Sequence, residues 1–319
     1  MNEAHHNGLV RSRNLGVVIL ALSASVCSAP REAPAPDDTV KPLISQARKL
    51  DLDGKQTDAI ALYRQALEHQ PNSFDAHYGI GRALDLAGSY DEARRHFAKA
   101  LELAPESSKD QALRMMGIAW TFVGDVDEAS RYFREAFDRR VTENNPAVAA
   151  DVANELGRVY LELGASDEAE TWYRTGHEMA GRATGRLAWQ VDLADMRWAH
   201  AQARIAARRG RAPEARRQEA IVKKLLDKGG NDDQRIQHAY LRGYLDFYLN
   251  DARAAVDALK QADQQDPFIL VLLGQASEKL GHPDEAREYY SKVLQSSSHA
   301  VNSAFARPLA RQKLADLRR

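Results

Sequence analysis

Cysteine is nearly absent from this chain, since Cys27 is the only one in 319 residues. A single thiol excludes a disulfide framework and a cysteine-ligated metal site within one chain. Neither sign of charge predominates, because the formal net charge is −1. This balance gives no overall attraction to nucleic acid or to an anionic membrane, and we expect no nucleic-acid partner.

Motifs that carry catalysis are also missing. His177 and Glu178 are not followed by a second histidine at metalloprotease spacing. Gly79 and Gly81 lack the third glycine and the preceding strand of a nucleotide-binding loop. The chain has neither a glycine-flanked nucleophilic serine nor a phosphate-loop lysine. The sequence therefore predicts a protein that is not an enzyme and has no cofactor or metal.

The beginning of the chain has the organisation of an export signal. Arg11 and Arg13 precede an apolar run over residues 15–26, and small residues and Pro30 follow it. A membrane-spanning helix needs about 20 apolar residues, so this run is too short to be one. A basic segment, a short apolar segment and small residues are typical of a secretory signal peptide, here residues 1–28.

Two processing outcomes remain open for this signal. Cleavage after Ser28 would release a freely soluble protein. Alternatively, residues 24–27 resemble a bacterial lipobox that would make Cys27 the lipidated first residue, although Ala24 and Val26 depart from the usual pattern. In both cases we expect an extracytoplasmic location, in the periplasm or lipid-anchored to a bacterial membrane, with membrane contact only through the signal or the lipid. Residues 29–39 are rich in proline and predict an extended linker.

Residues 74–105 contain a pattern that much of the chain copies. Ala93, Phe97 and Ala100 share one helix face, and Gly88 stands where a first helix must end and the chain must reverse. Gly81 is small where the two helices must approach closely. Pro105, which ends the unit, lies 34 residues after Pro71 at the end of the preceding unit. The pattern predicts two short antiparallel helices.

This unit resembles the tetratricopeptide repeat, a helix–turn–helix unit of about 34 residues. The resemblance implies an all-α, right-handed superhelix of about seven helix pairs over residues 40–299, followed by a C-terminal capping helix over residues 300–319. The segment from 241 to 314 also resembles the C-terminal part of uncharacterised bacterial repeat proteins, without implying an activity. Such proteins are usually scaffolds that bind other proteins.

Several departures from the repeat predict local irregularities. The fifth unit lacks its second-helix aromatic residue, and its first helix is expected to be long, from about 187 to 209. Asn250 replaces a turn glycine and should adopt the left-handed conformation. The helix before Pro267 must be short. In the last helix, Asn302 or Ser303 can provide the N-cap, and Pro308 should kink or restart the helix.

The resemblance also implies which residues point into the concave groove. First helices line the inner wall of such a superhelix and second helices lie outside. The groove residues predicted in this way are Tyr78, Arg82, Arg114, Phe122, Asn154, Arg158, His200, Arg204, Arg208, Tyr240, Tyr244 and Phe247.

The composition of this groove suggests an acidic or aromatic-containing peptide as the ligand. Arginine pairs well with carboxylates, and tyrosine offers a flat apolar face with a polar tip. Two alternatives apply to the residues: the arginines could form a solvated helix face, and Tyr240, Tyr244 and Phe247 could be an ordinary core stripe. For the protein, the alternative is a structural subunit of an envelope assembly that interacts through its convex face.

Overall fold

The computed structural model describes residues 39–317, and within that range it contains helices and no strands. The predicted signal peptide, Cys27 and all of the predicted linker except Thr39 lie outside the described residues. The α-helices are α1 (Val40–Leu52), α2 (Gln56–His69), α3 (Phe74–Ala87), α4 (Tyr90–Leu103), α5 (Lys109–Thr121), α6 (Val126–Thr142), α7 (Pro146–Glu162), α8 (Ser166–Arg182), α9 (Ala188–Arg208), α10 (Ala212–Asp227), α11 (Arg235–Tyr248), α12 (Ala252–Leu259), α13 (Pro267–Lys279), α14 (Pro283–Gln295) and α15 (Val301–Asp316).

The first fourteen helices form seven consecutive pairs, and each helix packs against its neighbours in the chain. First helices of successive pairs also meet, as α9 meets α11 and α11 meets α13. The array is a superhelix of repeated helix pairs, as the sequence predicts. We call the face formed by the first helices (α1, α3, α5, α7, α9, α11 and α13) the inner face.

Glycine fulfils the two roles that the sequence predicts for it. Gly88 ends α3 with a φ of 95°, and its N–H donates to the carbonyl oxygens of Leu84 and Asp85. In the helix interior, a Cβ atom at Gly81 would lie 2.9 Å from the ring of Phe97. The glycine therefore allows the second helix to place its buried aromatic ring directly on the first helix.

The irregular units follow the sequence closely. Helix α9 has 21 residues, whereas α12, before Pro267, has eight. Asn250 has a φ of 68° and lies in the left-handed region, as predicted. A short 3-10 helix, Glu106–Ser108, accommodates the longer connection between the second and third pairs.

The last helix differs from the prediction at its start. Its N-cap is Ala300, which makes no side-chain cap. Asn302 instead donates to Asp266, and the hydroxyl of Ser303 donates to the carbonyl oxygen of Ser298. The helix also runs through Pro308 without restarting. The prediction of a cap by Asn302 or Ser303 was wrong, because the helix begins earlier, at Val301, and the two side chains bind Asp266 of the preceding pair and Ser298 of the connecting segment.

Helix α15 packs on the last pair, α13 and α14, as expected of a cap, but it also contacts α5 and α7. Arg307 and Arg311 both donate to the carbonyl oxygen of Leu86 at the end of α3. The chain thus returns from its C-terminal end to the early pairs and covers part of the inner face.

Candidate functional site

The inner face contains an open cavity of about 780 Å³. Its walls come mainly from the first helices α5, α7, α9 and α11 and from the beginning of α15, and Tyr173 of α8, Val222 of α10 and Gln234 before α11 complete them. Cavities of this size are typical of ligand sites. Five residues of the predicted groove line this cavity together: Arg114, Asn154, Arg158, His200 and Arg204.

The repeat positions explain how these side chains meet. Asn154 and Arg158 are four residues apart on α7, and His200 and Arg204 are four residues apart on α9, so each pair shares one helix face. The bundle brings the two faces together even though the helices are separated by α8.

We call the part of the cavity wall formed by Arg158, His200 and Arg204 its inner end. A buried ionic cluster adjoins the cavity there through Arg158 and Arg204. The carboxylate of Glu162 is 3.3 Å from Arg158, 4.0 Å from Arg204 and 3.6 Å from Arg208. The hydroxyl of Tyr244 donates to the same carboxylate at 3.2 Å. One negative charge therefore faces three positive charges in a place that water reaches poorly.

The three arginines differ in how well their donors are satisfied. Arg208 donates to the carbonyl oxygens of Leu161 and Glu162 and stacks on Tyr248. Arg204 donates from Nη2 to the Tyr173 hydroxyl at 2.8 Å. Arg208 therefore hydrogen-bonds to the backbone of α7, whereas Arg158 and Arg204 each have guanidinium nitrogens that make no hydrogen bond.

His200 completes the cationic wall in a neutral form. Burial lowers its pKa well below the usual value, and the charges of Arg204 and Arg158 lower it further. Its ring stacks on Tyr240 with centroids 5.7 Å apart. The histidine therefore adds hydrogen-bonding capacity and no further positive charge near neutral pH.

Acidic residues of the rim are paired individually with other arginines. Asp151 accepts from Arg197 at 3.1 Å, and Glu155 accepts from Nε of Arg114 at 2.8 Å. These pairs leave the rim electrically balanced, so the excess positive charge is confined to the inner end.

Three aromatic residues of the predicted groove lie in the core. Tyr240, Tyr244 and Phe247 are all at most 5% exposed, and they pack in the core of the C-terminal pairs. The core-stripe alternative therefore describes these three residues. The guanidinium of Arg158 lies 5.7 Å from the ring centroid of Tyr240, and that of Arg204 lies 5.9 Å from that of Tyr244, so the two tyrosines pack against the arginines inside the core.

The remaining predicted groove residues lie elsewhere. The Tyr78 hydroxyl accepts from Gln111, and Arg82 lies 3.7 Å from Asp51. Phe122 is buried, with its ring 5.4 Å from that of His299. The repeat pattern contained no signal for the contribution of residues 300–302 to the cavity wall, because α15 is not part of a repeat.

The described residues contain no group of three or more histidine, cysteine or acidic side chains that could hold a metal ion. In residues 39–317, no helix is both long enough and apolar enough to cross a membrane.

Comparison with known proteins identifies the repeats of this chain. The tetratricopeptide repeat family model matches residues 53–108, 122–176 and 240–301, slightly more than half of the chain. Human tetratricopeptide repeat protein 7B is 28% identical over 169 residues, which are 52% of this chain and 19% of that protein. The chain thus spans about a fifth of the length of this curated relative.

Solved structures share the architecture. A tetratricopeptide repeat protein from Parabacteroides merdae ATCC 43184 is similar with a TM-score of 0.51 and 14% identity, over 89% of this chain and all of the other. The apo form of RapI gives a TM-score of 0.57 at 11% identity, over 87% of this chain and 99% of RapI. At such identities the likeness shows the fold alone.

Proposed function

The chain belongs to the tetratricopeptide repeat family, and on that premise we propose that it is a non-catalytic module that binds an acidic segment of a partner protein in the inner-face cavity. The family is generally one of protein-binding scaffolds. The observation that carries the proposal is the convergence of Arg158, Arg204 and His200, each with a nitrogen that makes no hydrogen bond, on one cavity lined mainly by first helices.

The chemistry favours an acidic segment over an aromatic one. Tyr240, Tyr244, Phe247 and Phe122 of the predicted groove are buried, whereas Arg158 and Arg204 line the cavity. Arginine binds carboxylates through paired, charge-assisted hydrogen bonds, which are stronger than neutral ones. The rim carboxylates Asp151 and Glu155 would attract a basic segment only weakly, since both are already paired with arginines.

The proposal can be tested with labelled peptides of defined composition (acidic, aromatic, neutral and basic) by fluorescence polarisation. We expect the acidic peptide to bind best. The substitution Arg197→Glu reverses a charge at the cavity rim and should weaken this binding about tenfold, a change of about 1.4 kcal/mol.

A matched control is available on the other side of the array. Arg131 lies on α6, a second helix, and its side chain is 53% exposed, against 51% for Arg197. Each arginine pairs with one carboxylate, Glu128 and Asp151 respectively. Loss of binding in Arg131→Glu but not in Arg197→Glu would contradict the cavity and favour a scaffold that acts through its outer face.

We also propose that this binding takes place outside the cytoplasm, in the bacterial cell envelope. The support is the basic and apolar pattern of residues 11–26 and the position of Cys27. An intact mass of the protein from its native host tests this. The mass of a chain that begins at an acylated Cys27 indicates a lipid-anchored module. The mass of a chain that begins near Ala29 indicates a free module, and the mass of the full chain from Met1 contradicts export.

A further inference from the structure

The inner end of the cavity holds donors that the fold leaves unused. Nη2 of Arg158, Nε of Arg204 and Nε2 of His200 have no hydrogen-bond partner among the described residues. Nε of Arg158 and Nη1 of Arg204 also make no hydrogen bond, and each has only an ion-pair contact with Glu162, at 3.3 and 4.0 Å. The two arginine side chains are only 16% and 6% exposed. An enclosed charged donor without an acceptor is costly, so a cluster of them on a cavity wall needs an explanation beyond packing.

The charges at this place do not balance. Among the described residues, Glu162 is the one carboxylate within ion-pair distance of Arg158 and Arg204, and it is shared with Arg208. Three guanidinium groups and one carboxylate leave two positive charges in excess. Asp266 is a further acidic group near Arg158, whose charge opposes the effect of burial on its pKa, but among the described residues it makes no ion pair with the three arginines; it caps α13 and accepts from Asn302.

We propose that the inner end of this cavity binds a doubly charged oxyanion of the phosphate type, held between the guanidinium groups of Arg158 and Arg204 beside His200. The charge of such a group matches the excess that the protein leaves. Its oxygens also provide acceptors for Nη2 of Arg158 and Nε of Arg204, which neither a hydrogen bond nor the ion pairs with Glu162 engage, whereas a carboxylate has two oxygens and one charge. A phosphate and a longer attached moiety both fit in about 780 Å³.

The phosphoryl group could belong to a small phosphate compound or to a phosphorylated side chain of the partner segment. The second source rests on the proposed function, whereas the first does not. Both present the same chemistry to Arg158 and Arg204, and the experiments below separate them.

Calorimetric titration of the full chain with inorganic phosphate, sulfate and acetate at constant ionic strength tests the site. We expect phosphate and sulfate to bind at least tenfold more tightly than acetate. Equal binding of acetate, or no binding of phosphate, would overturn the proposal.

Two substitutions separate a binding role from a structural one. Arg158→Gln should weaken phosphate binding at least tenfold and should raise the melting temperature without phosphate, because it relieves excess charge. Glu162→Gln keeps the shape of the side chain, removes the internal counter-charge, and should tighten phosphate binding at least threefold. If these arginines serve only to hold Glu162, phosphate affinity would not respond to Glu162→Gln, and the proposal would be wrong.

Phosphate and sulfate also stabilise many proteins without binding a site. The shift in melting temperature that phosphate causes must therefore disappear in Arg158→Gln to support the site. An equal shift in both proteins would show a general salt effect and would contradict it.

A phosphoserine peptide and its glutamate-substituted form identify the source of the group. Tenfold tighter binding of the phosphopeptide than of inorganic phosphate, with competition between them, assigns a phosphorylated partner. Phosphate binding without any peptide binding supports the site and contradicts the proposed function. Acidic-peptide binding without phosphate binding supports the proposed function and contradicts the phosphate site.

Discussion

The Nε2 atom of His299 lies 2.9 Å from a carboxylate oxygen of Asp85, and both side chains are fully buried. The two residues are 214 positions apart in the chain. Asp85 lies on α3, in the second pair, and His299 immediately precedes α15. The imidazole also packs between the rings of Phe97 and Phe122. This contact joins the C-terminal segment to the inner face of the early pairs.

Replacing His299 by phenylalanine should destabilise the protein. The ring packing between Phe97 and Phe122 is kept, but Asp85 loses its partner, and burial already raises the pKa of that carboxyl. We expect the free energy of unfolding in urea to fall by about 2–3 kcal/mol, since an enclosed carboxyl group is left unpaired.

The double variant Asp85→Leu with His299→Phe is the control. With both polar groups gone, nothing remains unpaired, and we expect a stability within about 1 kcal/mol of the wild type. A double variant as unstable as the single one would show that packing, rather than pairing, explains the loss.

Arg307→Ala should weaken the contact between α15 and the end of α3 more than Arg311→Ala does. The buried guanidinium of Arg307 donates to the carbonyl oxygens of Leu86, Ser296 and Val293, whereas Arg311 donates to Leu86 alone. Burial and the charge of Arg311 lower the pKa of Arg307 to about 10, which shows how enclosed it is.

We expect Arg307→Ala to cost about 2–4 kcal/mol, because three carbonyl groups lose a charged donor, and Arg311→Ala to cost about 1 kcal/mol. Hydrogen exchange should become faster in α3 and α15 for the first variant. Unchanged hydrogen exchange in α3 would show that the contact between α15 and α3 does not depend on Arg307.

Two helical glycines should respond oppositely to alanine. A Cβ atom at Gly117 would lie 2.6 Å from the buried ring of Phe133, whereas at Gly181 it would meet nothing within 4 Å. Gly117→Ala should lower the unfolding free energy by about 1–3 kcal/mol through overpacking. Gly181→Ala should raise it by about 0.5–1 kcal/mol, because alanine is the better helix former. Thermal or urea unfolding of both variants measures the difference.

Acid should destabilise the protein through His96. Burial and the neighbouring His77 together lower the pKa of His96 to about 4, against the effect of Glu92. Between pH 6.5 and 4 the unfolded chain therefore takes up a proton that the folded chain does not, so stability falls as the pH drops through this range.

We expect a loss of about 1–2 kcal/mol from this residue, less than for a fully enclosed ring, because its side chain is 19% exposed. His96→Gln should flatten the dependence of stability on pH between 4 and 6.5. An equally steep profile in this variant would assign the effect to other groups, such as His200, whose pKa is also lowered.

Much of the fold could be predicted because its determinants are local. Gly88, Phe97 and the acidic first turns recur at fixed spacing, and each specifies a turn, a packing contact or a helix start within one unit. Even the exceptions, such as the left-handed Asn250 and the short α12, follow from which residue stands at a repeat position.

The site could be predicted in part. Repeat position placed Arg158 and Arg204 on first helices, and both line the cavity. Repeat position could not distinguish the buried Tyr240 from a groove residue. Residues four positions apart share a helix face whether that face meets a ligand or a neighbouring helix.

The sequence by itself determined the paired helices, their turns and the helix faces that carry the arginines, since these depend on spacing within about 34 residues. Only the tertiary structure decided where α15 lies. Contacts such as His299 with Asp85 and Arg307 with Leu86 join segments more than 200 residues apart, and no local periodicity encodes such a pairing. For the same reason, only the folded chain shows that residues 300–302 complete the cavity and that one carboxylate, Glu162, faces three arginines.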